Sequence, residues 1–152
     1  MSVRLLKTDD DLAALAKLHA ACFADAWDQR ALGELIASGA FAVVSSEGFI
    51  LVRAAGGEAE ILTLAVAQAA RRRGLGRELV VEAADHVHRQ GATALFLEVA
   101  VTNDAARGLY SSLGFHEAGR RKGYYAGNPP ADALILRADL PLSPLGKRAV
   151  ER

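Results

Sequence analysis

The stretch Arg71-Arg72-Arg73-Gly74-Leu75-Gly76 separates an apolar segment from an amphipathic one. The apolar segment, residues 61–66, reads Ile-Leu-Thr-Leu-Ala-Val, and this short run of branched side chains predicts a β-strand. Residues 74–90 predict a helix, because apolar side chains recur at helical spacing with charges on the opposite side. The apolar stripe of this helix consists of Leu75, Leu79, Val80, Ala83, Ala84 and Val87. The sequence thus predicts a strand, a glycine-containing loop and a helix that begins at the two glycines.

The start of this helix has the composition of an anion-binding site. The first backbone N–H groups of a helix lack partners and lie at the positive end of its dipole, and glycine lets an anion approach them closely. Guanidinium groups suit phosphate oxygens, and four arginines surround this point, namely Arg71, Arg72, Arg73 and Arg77. We therefore predict that the loop binds a pyrophosphate. The alternative is an ordinary helix start with solvated arginines.

Two common phosphate-binding signatures do not fit this loop. A Walker A loop needs Lys followed by Ser or Thr after its second glycine, whereas Gly76 is followed by Arg-Glu. The dinucleotide-binding fingerprint needs a third glycine three residues later, where this chain has Leu79. The positions of Arg71, Gly74 and Gly76 resemble instead the R/Q-x-x-G-x-G/A signature of the GNAT superfamily of acyl-CoA-dependent N-acetyltransferases.

Length and composition limit the possible classes of protein. With 152 residues, 51% of them hydrophobic, the chain is predicted to form one globular domain over residues 1–140, followed by a flexible, proline-interrupted tail over residues 141–152. Its 18 basic and 18 acidic side chains cancel, so no overall field favours nucleic acid or an anionic membrane. The single cysteine, Cys22, excludes an internal disulfide. Because the first residues lack a secretory pattern and the apolar runs are too short to span a bilayer, we expect a cytoplasmic protein.

The rest of the chain predicts further strands and helices. We predict strands at residues 3–7, 41–45, 49–54, 93–101, 115–119 and 133–138. We also predict three helices: one capped by Thr8-Asp9, one capped by Asp28 and ended by Gly39, and one running from Asn103 to Leu113. This order of elements predicts a mixed α/β sheet with helices on both faces.

Glu98 interrupts the otherwise apolar strand segment Leu95–Val101. A strand covered by helices on both faces has no ordinary use for a carboxylate. Either the sheet opens at this point, or the carboxylate pairs with a buried base. A desolvated carboxylate is a better proton acceptor, which suits a general base that works near neutral pH. Structural ion pairing is the alternative role.

Tyr110 follows twelve residues after Glu98. The chain would leave Glu98, pass Asn103 and return along a helix rising about 1.5 Å per residue, which could bring Tyr110 back to the level of Glu98. A tyrosine hydroxyl, with a pKa of about 10, can donate a proton to a thiolate whose conjugate acid has a pKa near 8.5. The alternative is a core tyrosine packed beside Leu109 and Leu113.

The second half of the chain resembles one group within that superfamily, the RimI-type ribosomal-protein-alanine N-acetyltransferases. Residues 97–115 resemble the L-E-V…N…A-x-x-L-Y-x-x-x-G-F run of that group, residues 120–125 resemble its R-R-x-Y-Y segment with one extra residue, and residues 132–135 resemble the D-A-hydrophobic strand that follows. The first sixty residues match weakly. Residues 26–28 read Ala-Trp-Asp where the group often has Pro-Trp-Ser, and residues 67–70 lack its usual proline.

This resemblance implies a fold, a reaction and a set of site residues. The fold is a central mixed sheet, mostly antiparallel, of about six to seven strands with helices on both faces. The reaction moves an acetyl group from acetyl-CoA, a co-substrate, to a protein N-terminal α-amino group, specifically the N-terminal alanine of a small-subunit ribosomal protein. Glu98 would be the general base and Tyr110 the general acid, and Tyr124 and Tyr125 would contact the acceptor. The implied acetyl-CoA-binding residues are Leu64, Ala65, Val66, Arg71, Arg72, Arg73, Gly74, Leu75, Gly76, Arg77 and Asn103.

Other functional classes stay open at this point. The acceptor could be a lysine or a small-molecule amine. The chain could also be a non-catalytic acyl-CoA-binding module, although Glu98 and Tyr110 in their family places argue against it. Nucleic-acid binding through residues 71–73 would require a wider basic patch and stacking aromatic side chains, so we do not expect it.

Several polar side chains give weaker signals. Glu60 is a possible second base, or else a solvated carboxylate at the end of a strand. His19 and Cys22 stand three residues apart on a predicted helix among apolar neighbours, which favours packing in the core or a groove. His86 and His88 would face different directions on their helix, so we predict no metal site.

Overall fold

Seven strands form one sheet in the computed structural model, which describes residues 2–7 and 10–142. The strands are β1 Arg4–Leu5, β2 Phe41–Ser45, β3 Gly48–Ala55, β4 Glu58–Val66, β5 Ala94–Ala100, β6 His116–Tyr125 and β7 Ala131–Asp139. The helices are α1 Leu12–Cys22, α2 Gln29–Ala37, α3 Leu75–Arg89 and α4 Asp104–Ser112, with a 3-10 turn at Gln68–Ala70. The strand order is β1-β2-β3-β4-β5-β7-β6, and only β4 and β5 are parallel neighbours. The predicted mixed, mostly antiparallel sheet is confirmed.

Successive residues of the central strands pack on opposite faces of the sheet, as strand geometry requires. The paired residues Val43 and Ile50 belong to a hydrophobic cluster that includes α3 and α4. Their neighbours Val44 and Phe49, also a pair, belong to a second cluster that includes α1 and α2. Helices therefore cover both faces of the sheet, as the sequence predicted.

Helix α3 packs along the first of these clusters through the stripe predicted from its sequence. All six residues of that stripe are at most 1% exposed. Burying a Leu or Val side chain contributes about 1.5–3 kcal/mol, so the stripe is a main source of stability on this face. The helix begins after Gly74, which has a left-handed backbone with φ 87°. Among the described residues, no helix is long and apolar enough to cross a membrane.

The parallel strands β4 and β5 are paired over only part of their length. The pairs run from Glu58 with Ala94 to Glu60 with Phe96. Beyond them, residues 61–66 of β4 stay paired with β3 and residues 97–100 of β5 stay paired with β7. A register shift in the β3–β4 ladder, opposite Leu62, lies beside the point of separation. Since the two strands diverge here, the middle of the sheet opens.

The N-terminal boundary differs from the sequence prediction. The N-cap of α1 is Asp11, whose carboxylate accepts a hydrogen bond from the Ala13 N–H at 2.9 Å. The predicted cap residues, Thr8 and Asp9, lie outside the described residues. The cap of α2 is Asp28, as predicted, and its carboxylate accepts from the Ala31 N–H at 2.8 Å.

The C-terminal half differs in the length of one strand and in the start of the tail. Strand β6 continues to Tyr125 instead of ending near residue 119, with irregular pairing between Arg121 and Tyr125. Its pairing with β7 gives the extension a main-chain partner that its own polar sequence does not signal. Of the predicted tail, Leu142 is buried in the core, and residues 143–152 lie outside the described residues.

Candidate active site

A cavity of about 440 Å³ occupies the opening between β4 and β5. Its lining combines both separated strands with the loop after α1, the face of α4 and the end of β6. The lining residues are His19, Phe23, Ala24, Asp25, Trp27, Ile61, Leu62, Thr63, Leu64, Leu97, Glu98, Val99, Asn103, Ala106, Tyr110 and Tyr125. Glu98, Tyr110, Leu64, Asn103 and Tyr125, all singled out from the sequence, therefore meet at one place.

Glu98 reaches this cavity from β5. Of the two explanations offered by the sequence, the opening of the sheet is correct, and the side chain is 28% exposed. Its partner is Arg121 of β6, whose Nη2 lies 3.0 Å from Oε1 of Glu98. The partner is not a buried base, because the Arg121 side chain is 53% exposed. The carboxylate is therefore accessible from the cavity and held by an ion pair at the surface.

Tyr110 forms part of the α4 wall of the cavity. The residue is 5% exposed, and its ring meets Phe115 edge-on at 5.2 Å between centroids. Burial raises the pKa of Tyr110 well above the ordinary value of a tyrosine hydroxyl. The hydroxyl therefore keeps its proton throughout the neutral range and can act as a hydrogen-bond donor there.

The start of α3 offers backbone N–H groups next to the cavity. The first intrahelical bond runs from the Glu78 N–H to the Gly74 carbonyl at 3.0 Å, so the N–H groups of residues 75–77 have no acceptor within the helix. A Cβ atom on Gly76 would lie 3.4 Å from Leu109 and 3.8 Å from Leu64, which lines the cavity. The absent side chain thus lets the helix start pack closely against both walls.

The four arginines of the predicted anion site differ in their surroundings. Arg71 donates from Nε to the Val66 carbonyl at 3.1 Å, and Arg77 donates to the Ser112 hydroxyl. Arg72 and Arg73 are exposed, and Arg72 has a left-handed backbone with φ 66°. Arg71 and Arg77 therefore connect the loop and the helix start to neighbouring elements by hydrogen bonds, while Arg72 and Arg73 are exposed to solvent beside the helix start.

The predicted acetyl-CoA residues outside the loop lie on β4 and at the start of α4. Leu64, Ala65 and Val66 pair with β3 through Ile50, Phe49 and Gly48. Asn103 caps α4, because its Oδ1 accepts from the Ala106 N–H at 3.1 Å. The cap uses one lone pair of the amide oxygen, and the NH₂ group, which can donate to a ligand, is not part of the cap.

The two tyrosines at the end of β6 occupy different positions. Tyr125 lines the cavity, whereas Tyr124 is exposed and its ring meets that of Tyr125 edge-on at 5.2 Å. Arg121 stacks over the Tyr124 ring at 5.3 Å. Burial, then the charge of Glu98, raises the pKa of Tyr125, which reflects its closeness to that carboxylate.

Three further residues line the cavity although sequence reasoning assigned them no function, namely His19, Thr63 and Trp27. His19 was expected to pack in the core or a groove, and it is buried, but it also carries two hydrogen bonds, to Thr63 and Trp27. The signal present in the sequence was one polar side chain, His19 or Thr63, among the apolar residues of each of two segments. That signal does not reveal that the two segments meet.

The remaining candidates lie away from the cavity. Glu60 is exposed and stands within β4, at its last pair with β5, and it is not part of the cavity lining. His86 packs against the Phe41 ring at 4.4 Å, and His88 contacts the Ala92 carbonyl through Nδ1. Within residues 2–7 and 10–142, no group of three or more His, Cys, Asp or Glu side chains is arranged to hold a metal ion.

Comparison with known proteins identifies a family and several similar proteins. Residues 4–115 match the acetyltransferase (GNAT) family. The [ribosomal protein bS18]-alanine N-acetyltransferase of Escherichia coli strain K12 is 41% identical over 86 residues, which are 57% of this chain and 57% of that protein. N-alpha-acetyltransferase RimI of Mycobacterium tuberculosis is 43% identical over 82 residues, 54% of this chain and 49% of that one. The matched segment thus spans about half the length of these relatives.

A solved structure extends the likeness to nearly the whole fold. The crystal structure of the ribosomal-protein-S18-alanine N-acetyltransferase from Escherichia coli superposes with a TM-score of 0.82 at 28% identity. The superposition covers 93% of this chain and 95% of the other.

Proposed function

Because the chain belongs to the acetyltransferase (GNAT) family, we propose that it transfers the acetyl group of acetyl-CoA to the N-terminal α-amino group of a protein. The N-terminal alanine of a small-subunit ribosomal protein is the proposed target, and the cytoplasm, where such proteins are made, is the proposed location. One observation carries this proposal: a single cavity contains a carboxylate and a protonated phenol, Glu98 and Tyr110, and adjoins the start of a helix that suits a pyrophosphate.

The α3 start has the properties that a coenzyme A pyrophosphate requires. Acetyl-CoA supplies the acetyl group as a thioester. The N–H groups of residues 75–77 and the exposed Arg72 and Arg73 offer donors to phosphate oxygens, and Gly74 and Gly76 present no side chains that would obstruct them. The backbone of residues 64–66 and the Asn103 NH₂ group would hold the rest of the molecule along the opening.

Glu98 is the proposed general base. An acceptor arrives mostly as a cationic α-ammonium group, the same charge as the guanidinium now paired with Glu98. It can take the place of Arg121 beside the carboxylate, because that ion pair is partly solvated and such pairs contribute little net free energy. An Oε atom of Glu98 then accepts the ammonium proton, which leaves a neutral amine beside it.

Tyr110 is the proposed hydrogen-bond donor to the leaving sulfur, a narrower role than the general acid that the resemblance implies. Its hydroxyl donates toward the sulfur atom that leaves with the electron pair. Full proton transfer to a thiolate, whose conjugate acid has a pKa near 8.5, is unfavourable for a buried tyrosine with a raised pKa. We therefore propose that Tyr110 stabilises the developing negative charge on sulfur by a hydrogen bond. The neutral amine attacks the thioester carbon, so that the C–N bond forms and the C–S bond breaks. The second proton lost by the nitrogen passes to the departing thiolate, because Glu98 already carries the first.

The amine chemistry favours an N-terminus over a lysine. An α-amine with a pKa near 7.8 is about one-seventh neutral at pH 7, whereas a lysine with a pKa near 10.4 is neutral about once in 2,500 molecules. Supplying the neutral amine thus costs roughly 1 kcal/mol in the first case and 4–5 kcal/mol in the second. A single, partly solvated carboxylate can more easily supply the smaller free energy, which is that of deprotonating an α-amine. Tyr124 and Tyr125 at the rim supply aromatic surface for a peptide.

Mass spectrometry of acetylated peptides tests the proposal. The substrate is a peptide with an N-terminal alanine and one internal lysine, incubated with acetyl-CoA and the purified protein, and fragmentation locates the acetyl group. A matched peptide with a blocked N-terminus and the same free lysine is the control. We expect acetylation of the first peptide at its α-amine and none of the second. Acetylation confined to lysine, or no acetylation of either peptide, would contradict the proposal.

A second peptide series tests the proposed alanine. It varies only the first residue, with alanine, serine, valine and glutamate compared at equal concentration. We expect the highest kcat/KM for alanine. Equal rates across the series would support an N-terminal acetyltransferase of broad specificity and remove the argument for one ribosomal protein.

A further inference from the structure

His19 is the most enclosed polar side chain beside the cavity. It is 4% exposed and lies in an aromatic setting, with its ring stacked parallel to Trp27 at 5.1 Å and tilted against Phe23 at 4.6 Å. Both ring nitrogens have partners: the Trp27 backbone N–H lies 3.0 Å from Nδ1, and the Thr63 Oγ1 lies 3.0 Å from Nε2. Because both partners are fixed, the imidazole ring of His19 has a single orientation, and its protonation state follows from the two hydrogen bonds.

These two contacts determine which nitrogen of His19 carries the proton. A backbone N–H can only donate, so Nδ1 must accept and cannot carry a proton of its own. A neutral imidazole has its single proton on the other nitrogen, which is Nε2. Nε2 therefore donates to the Thr63 hydroxyl oxygen. His19 is not available as a general base, because its one unprotonated nitrogen is already occupied by Trp27.

The direction of this bond sets the role of the Thr63 hydroxyl. A hydroxyl has one proton and two lone pairs. His19 occupies a lone pair of Oγ1, so the hydroxyl proton is left to donate to another group. Thr63 lines the cavity from β4, and Glu98 lines the same opening from β5. The cavity thus contains a donor on one strand across from a proton acceptor on the other.

We propose that Thr63 recognises the main-chain carbonyl oxygen of the first residue of the acceptor peptide, with His19 as the positioning residue that fixes the hydroxyl as a donor. This inference rests on the proposed function, since it assigns the group that distinguishes an α-amine from other amines. In a peptide, that carbonyl is separated from the reacting nitrogen by a single carbon atom. A side-chain ammonium of lysine has no carbonyl so close to its nitrogen. Thr63 therefore favours the α-amine held beside Glu98.

The test compares a peptide with an analogue that lacks the carbonyl oxygen of the first residue. The analogue replaces the first peptide bond by an E-alkene, which keeps the shape and the free amine. It also removes the amide N–H and changes the pKa of the amine, but these differences are the same for every variant and cancel when the ratios of two variants are compared. The measured quantity is the ratio of kcat/KM for the peptide to that for the alkene analogue, in the wild type and in variants at residue 63. We expect Thr63→Val, which keeps the side-chain shape, to lower this ratio about 3- to 10-fold. Thr63→Ser should restore it.

Thr93→Val is the matched control, because the Thr93 hydroxyl donates to the Gly57 carbonyl and is not part of the cavity lining. Its ratio should equal that of the wild type. An unchanged ratio in Thr63→Val would overturn the proposal, as would an equal fall in Thr93→Val. Changes in folding alone affect both substrates equally and leave the ratio unchanged.

Two substitutions at residue 19 separate the two hydrogen bonds of the histidine. In His19→Gln, the amide NH₂ can occupy the place of Nε2 and keep the donation to Thr63. In His19→Asn, the shorter amide can occupy the place of Nδ1, keep the Trp27 bond and lose the donation to Thr63. We expect the ratio to fall in His19→Asn and to stay near the wild-type value in His19→Gln. Moreover, His19→Asn should cause no further fall in a protein that already carries Thr63→Val.

The results distinguish this inference from the proposed function. If the wild type acetylates the α-amine but Thr63→Val leaves the ratio unchanged, the inference is wrong and the proposed function stands. If the wild type acetylates only lysine, the proposed function is wrong, and the inference falls with it. A third outcome is that the kcat/KM ratio falls in Thr63→Val but is equal in His19→Asn and His19→Gln. Thr63 would then still be the hydrogen-bond donor to the peptide, but His19 would not be its positioning residue.

Discussion

The buried state of His19 predicts how the stability of the fold depends on pH. Burial lowers the pKa of His19 below its ordinary value near 6.5. Protonation would also require Nδ1 to give up the Trp27 N–H. The unfolded chain therefore binds a proton at higher pH than the folded protein does. The contribution of His19 to stability is complete above pH 6.5 and is lost as the pH falls below that value toward the folded pKa.

The size of this effect follows from proton linkage. One group changes the free energy of unfolding by at most about 1.4 kcal/mol per pH unit. Integrated from pH 6.5 to 5.5, with a histidine of pKa 6.5 in the unfolded chain and no proton bound in the folded one, the loss is at most about 1 kcal/mol. Urea unfolding of the wild type at pH 7.5, 6.5 and 5.5 measures it. His19→Gln should show a smaller loss over the same interval, whatever its stability at pH 7.5.

His86 is a second histidine whose contribution to the pH dependence must be separated from that of His19. Burial, helped by the charge of Arg89, also lowers the pKa of His86, so it contributes in the same direction. His86→Gln should therefore remove its own part of the loss, and the double variant should lose less stability between pH 7.5 and 5.5 than either single variant. If His19→Gln loses as much stability between pH 6.5 and 5.5 as the wild type, the reasoning about the buried neutral imidazole is refuted.

Three further predictions concern the site and the core. Glu98→Gln should lower kcat about 100-fold or more in steady-state kinetics, whereas Glu60→Gln, which changes an exposed carboxylate outside the cavity, should not. Wild-type rates in Glu98→Gln would exclude Glu98 as the base. Tyr110→Phe should lower kcat with little change in acetyl-CoA affinity, which calorimetric titration measures. Gly74→Asp should weaken acetyl-CoA binding more than Gly74→Asn, because both side chains meet the same left-handed backbone but only the carboxylate repels phosphate; equal dissociation constants would contradict an anion site at this helix start. Leu79→Ala, at a fully buried position, should lower the free energy of unfolding by about 2–5 kcal/mol, and a loss below 1 kcal/mol in urea unfolding would show that α3 does not anchor this face.

The parts of the structure that sequence could predict are those determined by local patterns. The stripe of α3 repeats at helical spacing, so both its extent and its buried face were predictable, including the glycine at its start. Asn103 and Asp28 were predictable as caps because a side chain that caps a helix acts within three residues of its own position. Glu98 was conspicuous because every neighbour on its strand is apolar.

The parts that sequence could not predict depend on contacts between distant segments. Arg121 reaches Glu98 only because β7 lies between β5 and β6 in the sheet. His19 and Thr63, 44 residues apart, meet because α1 packs against β4. The length of β6 depends on its pairing with β7, since its own sequence is polar and contains a glycine at residue 123. Periodicity and capping rules contain no information about such pairings.

The separation of β4 from β5 costs the sheet some stability but creates the cavity that the proposed activity requires. A sheet ordinarily keeps its unpaired edges at its margins, but here two neighbouring strands stop pairing with each other at its centre. Extending the ladder past Glu60 and Phe96 would add inter-strand hydrogen bonds and stabilise the sheet. The same change would close the cavity in which we propose that Glu98 and Tyr110 meet a substrate. Selection for a more stable sheet and selection for an active enzyme therefore act in opposite directions at these few residues, and engineering for thermal stability should leave them unchanged.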